Sequence, residues 1–192
     1  MSHYKRAQAR EGISNTMSEE RGYVHVYTGN GKGKTTAALG LAFRARGRGM
    51  RSYIAQFMKG IAYGEVEAAA QVAPWIIIEQ FGRDIRDCVN AQYADTDVTM
   101  ARTGLKKAEQ EMLSGTYRIV ILDEINVALY YNLVTIQEVL HFIRKKPWEV
   151  ELILTGRYAP EEILKAADLV SEVVEIKHYF QQGILARDGI ER

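Results

Sequence analysis

Two kinds of apolar pattern take turns along this chain. Short runs that are apolar throughout, or at every second position, predict strands at 23–28, 52–57, 75–81, 118–124, 150–155 and 169–176. Between them the spacing lengthens to three and four. Ala37, Ala38, Leu41, Ala42 and Ala45 predict a helix over 34–46, which Gly47 and Gly49 stop. Glu65–Val72 reads as a short helix. Val98, Ala101, Leu105, Ala108 and Met112 predict an amphipathic one from Thr96 to Ser114-Gly115. Thr135-Ile136-Gln137-Glu138 has the form of a capping box. The helix it starts carries Ile136, Val139, Leu140 and Ile143 on one face and ends at Pro147. Pro160, Glu161 and Glu162 suit the first turn of another short helix. Residues 82–94 and 177–192 show neither period, and the first of these is long enough to suggest a functional loop.

Strands that alternate with helices predict an α/β fold: a mostly parallel sheet with helices on both faces. The run Ile119–Leu122, closed by Asp123 and Glu124, is what a central parallel strand looks like, because such a strand is buried on both sides. No linker or repeat interrupts 22–192, so a single domain is expected there. Residues 1–21 are polar and broken by Gly12, Ser14 and Asn15. They read either as a loose tail or as a segment that orders over a ligand.

Composition narrows the partners. The 192 residues hold 25 Lys and Arg against 24 Asp and Glu, a formal net charge of +1. No overall field is present to hold a polyanion, so nucleic acid is disfavoured as main partner. Cys88 is the sole cysteine, which excludes an internal disulfide and a cysteine-rich zinc site. His3, His25, His141 and His178 have no metal-ligand spacing, and no Ser-His-Asp or Cys-His set suggests a covalent intermediate. His25 is read as a sheet residue, His178 as surface or tail, Tyr130 and Tyr131 as packing. No signal-peptide core or apolar run near the roughly 18 residues of a membrane span occurs. A cytoplasmic protein is expected.

The chemistry gathers at Thr28-Gly29-Asn30-Gly31-Lys32-Gly33-Lys34-Thr35-Thr36, between the first strand and first helix. A glycine-rich turn at a helix N-terminus aims backbone N–H groups at phosphate oxygens. Lys34 adds a positive charge and Thr35 a hydroxyl for Mg²⁺. The consensus G-x-x-x-x-G-K-[ST] is missed by one place, since Thr28 stands where the first glycine belongs. Ligands bind at the carboxyl ends of such strands, so Asp123 and Glu124 are expected to share a Mg–nucleotide site with this loop. A P-loop NTPase-like (RecA-like) domain follows, and fold alone does not fix its reaction.

The loop with its displaced glycine resembles the P-loop family of ATP:corrinoid adenosyltransferases. So do Gln56-Phe57 with Lys59-Gly60, Gly64-Glu65, Val120–Ile125, Leu154-Thr155-Gly156-Arg157, Ala167–Glu172, Lys177-His178 and Gly183–Glu191. The likeness spans 22–192. It implies transfer of the 5′-deoxyadenosyl group of ATP to the cobalt of a reduced corrinoid, with loss of triphosphate, in adenosylcobalamin synthesis or salvage. ATP would lie in the P-loop in reversed sense. Lys32, Lys34 and Mg²⁺ would neutralise the leaving group. Thr35 and Glu124 would hold the metal, with Asp123 a third candidate. Gly29, Asn30, Gly31, Gly33, Thr36 and Arg44 would contact the nucleotide. Family members often carry corrinoid-facing aromatics in the loop after the third strand; Phe81 and Arg83 are the candidates here, but no tryptophan follows, so either Phe81 and Tyr93 substitute or the corrinoid is handled differently. The resemblance further implies a homodimer, a flavoprotein reductase as electron donor, and residues 1–21 as a lid. An ordinary P-loop NTPase or kinase, and a non-catalytic nucleotide sensor, remain the alternatives.

Overall fold

The computed structural model describes residues 21–61, 63–83 and 95–191. The elements run β1 (Val24–Thr28), α1 (Lys34–Arg46), β2 (Ser52–Phe57), α2 (Gly64–Gln71), β3 (Ile76–Phe81), α3 (Asp95–Leu113), β4 (Ile119–Asp123), α4 (Ile125–Tyr130), α5 (Ile136–Arg144), β5 (Glu151–Thr155), α6 (Glu161–Ala166) and β6 (Leu169–Glu172). A single 3₁₀ turn follows at Tyr179–Gln182. The readings that fall on 1–20 and 84–94, including the lid segment, Cys88 and Tyr93, lie outside the described residues.

All six strands are parallel, in the order β3-β2-β4-β5-β1-β6. The inner strands β2 and β4 are buried at every position. Alternate residues of each strand leave to opposite faces, which splits the core in two. Val120, Leu122, Leu152 and Leu154 pack with α3, α4, α5 and α6 on one side. Ile119, Ile121 and Ile153 meet Ala38, Ala42, Ala45 and Ala69 of α1 and α2 on the other. The alanines of α1 give it a thin buried stripe, so the helix lies close to the sheet. That closeness fixes the direction in which its N-terminus points.

The capping box of α5 is formed: Thr135 Oγ1 accepts from the Glu138 backbone N–H, and Glu138 accepts from Thr135 in return. One expectation needs correcting, and one helix was not expected. The last strand is shorter than 169–176, because after Glu172 the chain leaves the sheet to pack on the glycine loop. There the Val173 carbonyl accepts from the Gly31 N–H at 2.7 Å. And α4, six residues directly after β4, carries no cap or stop signal that a sequence reading could use.

β5 lies between the strand that carries the glycine loop and the strand that carries Asp123. Both loops therefore open on the carboxyl edge of the sheet, one strand apart. Backbone strain collects along the same edge: Met58, Glu124 and Tyr158, after β2, β4 and β5, have φ of 58°, 63° and 62°.

Candidate functional site

The glycine loop owes its shape to β6 as much as to any ligand. Thr28 is still a strand residue, in register with Glu172, and its carbonyl accepts from the Val173 N–H at 2.8 Å. The turn therefore begins one residue late, which accounts for the displaced glycine. A Cβ on Gly29 would stand 2.5 Å from the Val173 carbonyl oxygen, and one on Gly31 2.8 Å from it. Gly33 meets no such neighbour but takes φ of 122°, which L side chains avoid. Gly29→Ala, at φ of 93°, is expected to cost about 1–3 kcal/mol and to pull the loop from β6. Urea unfolding and ATP titration of the same variant check both effects.

The loop and α1 open on a cavity of about 810 Å³. Gly31, Lys32, Gly33, Lys34, Thr35 and Thr36 line its floor. Gly64 and Glu65 of α2 face them, with Glu124 and Arg157 from the ends of β4 and β5. Lys34 is buried, and its ammonium donates to the Gly31 carbonyl at 2.7 Å. Burial lowers its pKa, partly offset by the carboxylate of Glu124. Asn30 and Gly29 belong to the loop without lining the cavity, and Arg44 is exposed near the far end of α1, outside it.

The two carboxylates after the apolar run part company. Asp123 is fully buried and both oxygens are taken. Oδ1 accepts from the hydroxyls of Thr35 at 2.8 Å and Thr155 at 2.7 Å. Oδ2 accepts from Lys59 at 2.9 Å and Gln56 at 3.1 Å. Glu124, set in left-handed backbone, turns into the cavity instead. Burial, then the neighbouring Asp123, raises its carboxyl pKa. Burial alone would lower Lys59; Asp123, with Glu65, more than offsets it and holds the ammonium above its usual pKa. A raised lysine contributes stability below its unfolded pKa and loses it as pH climbs through the folded one. The Lys59–Asp123 pair is therefore intact at neutral pH.

The resulting donor set fits magnesium. That ion takes one or two protein oxygens and fills the rest with phosphate and water. Thr35 Oγ1 spends its proton on Asp123, which leaves lone pairs toward the cavity, and Glu124 adds a carboxylate. Among the described residues no three His, Cys, Asp or Glu side chains could hold a metal by themselves.

Phe81 and Arg83 lie elsewhere. The Phe81 ring packs on Gly104, where a Cβ would stand 2.5 Å from it, and beside Phe57. Arg83 makes a two-toothed pair with Asp97, at 2.7 and 2.6 Å. Tyr130 and Tyr131 are 55% and 42% exposed, so neither packs in the core. Tyr130 stacks on Tyr158 with ring centres 4.4 Å apart, and Tyr131 and Tyr158 line the cavity mouth. His178 and Glu191 line it too, bringing the unpatterned stretch 177–191 into the site. The sequence offered these residues only as members of family-like segments, without roles.

A family model described as "ATP:corrinoid adenosyltransferase BtuR/CobO/CobP" matches residues 20–192. A corrinoid adenosyltransferase of a Sinorhizobium species is 38% identical over 97% of this chain and 88% of its own. One from Pseudomonas aeruginosa is 34% identical over 97% and 91%. One from Escherichia coli is 33% identical over 90% and 87%. Among solved structures, a KaiC-like protein of Pyrococcus horikoshii superposes with a TM-score of 0.54 at 16% identity, covering 89% of this chain and 76% of that one. That likeness carries the fold alone, and the fold is RecA-like.

Proposed function

The chain belongs to the ATP:corrinoid adenosyltransferase family BtuR/CobO/CobP, and from that premise we propose how its own residues carry the transfer. It is an ATP:corrinoid adenosyltransferase. The cobalt(I) electron pair attacks C5′ of ATP; the cobalt–carbon bond forms as the C5′–oxygen bond breaks, and that electron pair leaves on triphosphate. The nucleophile comes with the substrate, so the protein's work is to place C5′, stabilise the leaving group and keep water out.

The observation that carries this reading is the convergence of Lys34, Thr35 and Glu124 on one cavity. Lys34 and Lys32 hold the triphosphate. Gly33 and Thr36 offer it backbone N–H groups, while Gly29, Asn30 and Gly31, whose N–H is given to Val173, shape the turn. Arg44 faces the solvent side of α1, so its part is in long-range attraction of the nucleotide. Thr35 and Glu124 hold Mg²⁺, which would supply positive charge to the departing triphosphate. Asp123 aims Thr35 rather than binding the metal itself. Tyr131 and Tyr158 replace Phe81 and Arg83 as the surface for the flat corrin, since they stand at the cavity mouth.

We also assign a homodimer, supported by the bare edge of the sheet. Every residue of β6 is exposed, and Val174 and Ile176 beyond it are 64% and 93% exposed. Ile176→Asp is expected to halve the mass measured by light scattering without loss of helix content by circular dichroism. No helix among the described residues is long and apolar enough to cross a membrane. A cytoplasmic site of action and an electron-donating flavoprotein complete the reading.

The test is to mix the protein with Mg-ATP and a chemically reduced corrinoid. Light-sensitive adenosylcorrinoid with an equal amount of triphosphate is expected. ADP and phosphate formed without corrinoid would replace this reading with an ordinary NTPase.

A further inference from the structure

Lys32, unlike Lys34, is exposed, yet its ammonium is held by the chain itself. Its ammonium donates to Glu191 Oε1 at 2.6 Å and to the Tyr179 hydroxyl at 2.9 Å. Glu191 lies 159 residues along the chain from it and lines the same cavity as the glycine loop. An acid inside an anion cradle is an electrostatic conflict unless a cation answers it. Here two do. Besides Lys32, the Arg187 backbone N–H donates to Glu191 Oε2 at 2.8 Å, and the guanidinium lies at 3.2–3.3 Å. Tyr179 also donates to Glu191, and Arg187 sits over its ring.

We propose that Glu191 is a built-in competitor of triphosphate for Lys32, yielding the lysine when triphosphate enters the cradle and reclaiming it when triphosphate leaves. The proposal rests on the reading of the cavity as the triphosphate site. Its chemistry is an exchange of ion pairs. When Lys32 moves to a phosphate oxygen, Glu191 keeps Arg187, so no charge is stranded on either side of the exchange. A near-balanced exchange suits this reaction. The leaving group carries more negative charge than any other species in the cycle, and a cradle that only attracts would retain it. A carboxylate that takes back one lysine weakens the grip at the moment of release. Glu191 reaches the substrate through Lys32 and is thus a positioning residue. The glycine loop is itself braced by Val173, at the end of β6.

The opposite sign separates this role from a merely structural one. Breaking a structural contact loosens ligand binding; removing a competitor tightens it. Calorimetric titration with inorganic triphosphate and Mg²⁺, without corrinoid, reads it directly. E191Q is expected to bind triphosphate about threefold or more tightly, the size of an exposed ion pair. It should also lower KM for ATP and deepen inhibition by triphosphate. Y179F, which removes the hydroxyl shared by Lys32 and Glu191, should move binding in the same direction by less. In a K32A background, E191Q should change nothing. Unchanged or weaker binding by E191Q overturns the proposal. So does an equal gain with and without Lys32, since that would be simple relief of negative charge. If all variants bind triphosphate equally, the exchange fails while the cavity reading stands. If the unaltered protein binds none, both fail.

Discussion

Lys34→Ala is expected to slow adenosyl transfer by about a thousandfold, the scale set by removing a charge-stabilising donor from a transition state. Lys34 is buried at the first turn of α1, so its ammonium meets the triphosphate with little water between them. Charge on that oxygen grows as the C5′–oxygen bond breaks, and the interaction is strongest there. The loss should therefore fall on kcat as well as on ATP binding. Stability should move the other way. The folded pKa of Lys34 is depressed by burial, so at neutral pH the charged form costs the fold some stability. Alanine removes that cost, and a melting temperature equal to or above that of the unaltered protein is expected. Near-normal turnover of adenosylcorrinoid would take Lys34 out of the mechanism.

Asp123→Ala is expected to lower unfolding stability by about 3–5 kcal/mol, as when one partner of a buried ion pair is removed, and to abolish turnover. Four donors converge on this carboxylate: Thr35, Thr155, Gln56 and Lys59. Alanine leaves Lys59 charged and half-enclosed, answered by Glu65 at 3.4 Å and by the more distant Glu124 and Tyr63 ring. The decisive variant is the double change with Lys59→Met. It removes the stranded charge and should recover a large part of the stability without recovering activity, because Thr35 still lacks its anchor. Urea unfolding gives the first quantity, and adenosylcorrinoid formation at saturating Mg²⁺ the second. A double variant as unstable as Asp123→Ala alone would show that the hydroxyl bonds, not the ion pair, carry the energy.

What could be read from the residues follows from what a local pattern encodes. The runs at β2 and β4 gave strands because a strand buried on both faces must be apolar throughout. The capping box at Thr135 and the loop at 29–36 are short-range devices, and short-range devices are visible in sequence. Strand order is not, because β5 inserts between β1 and β4 by contacts that no local pattern records. The same limit hid the division of labour between Asp123 and Glu124. Adjacent acids look alike until a left-handed turn sends one inward to Lys59 and the other outward to the cavity. Phe81 was legible as an aromatic near a loop; the seat that Gly104 opens for its ring was not. Tyr130 does pack, on Tyr131 and Tyr158, but at the surface: a helix as short as α4 shows no period from which a face could be assigned. Glu191 stood in a family-like segment, yet its partner lies 159 residues away, beyond any spacing rule.

The late insertion of β5 also dictates when this site can come into being. Thr155, its last residue, ties the two halves together, donating to Asp123 and accepting from the Glu124 N–H at 3.0 Å. A chain emerging from the ribosome holds the glycine loop and both acids well before residues 151–155 arrive to separate β1 from β4. Contacts of such long sequence separation form late, after their loop-closure entropy has been met. Nucleotide capture at this edge thus waits on β5, and on the Val173 contacts made after it, rather than on the glycine loop and the two acids alone.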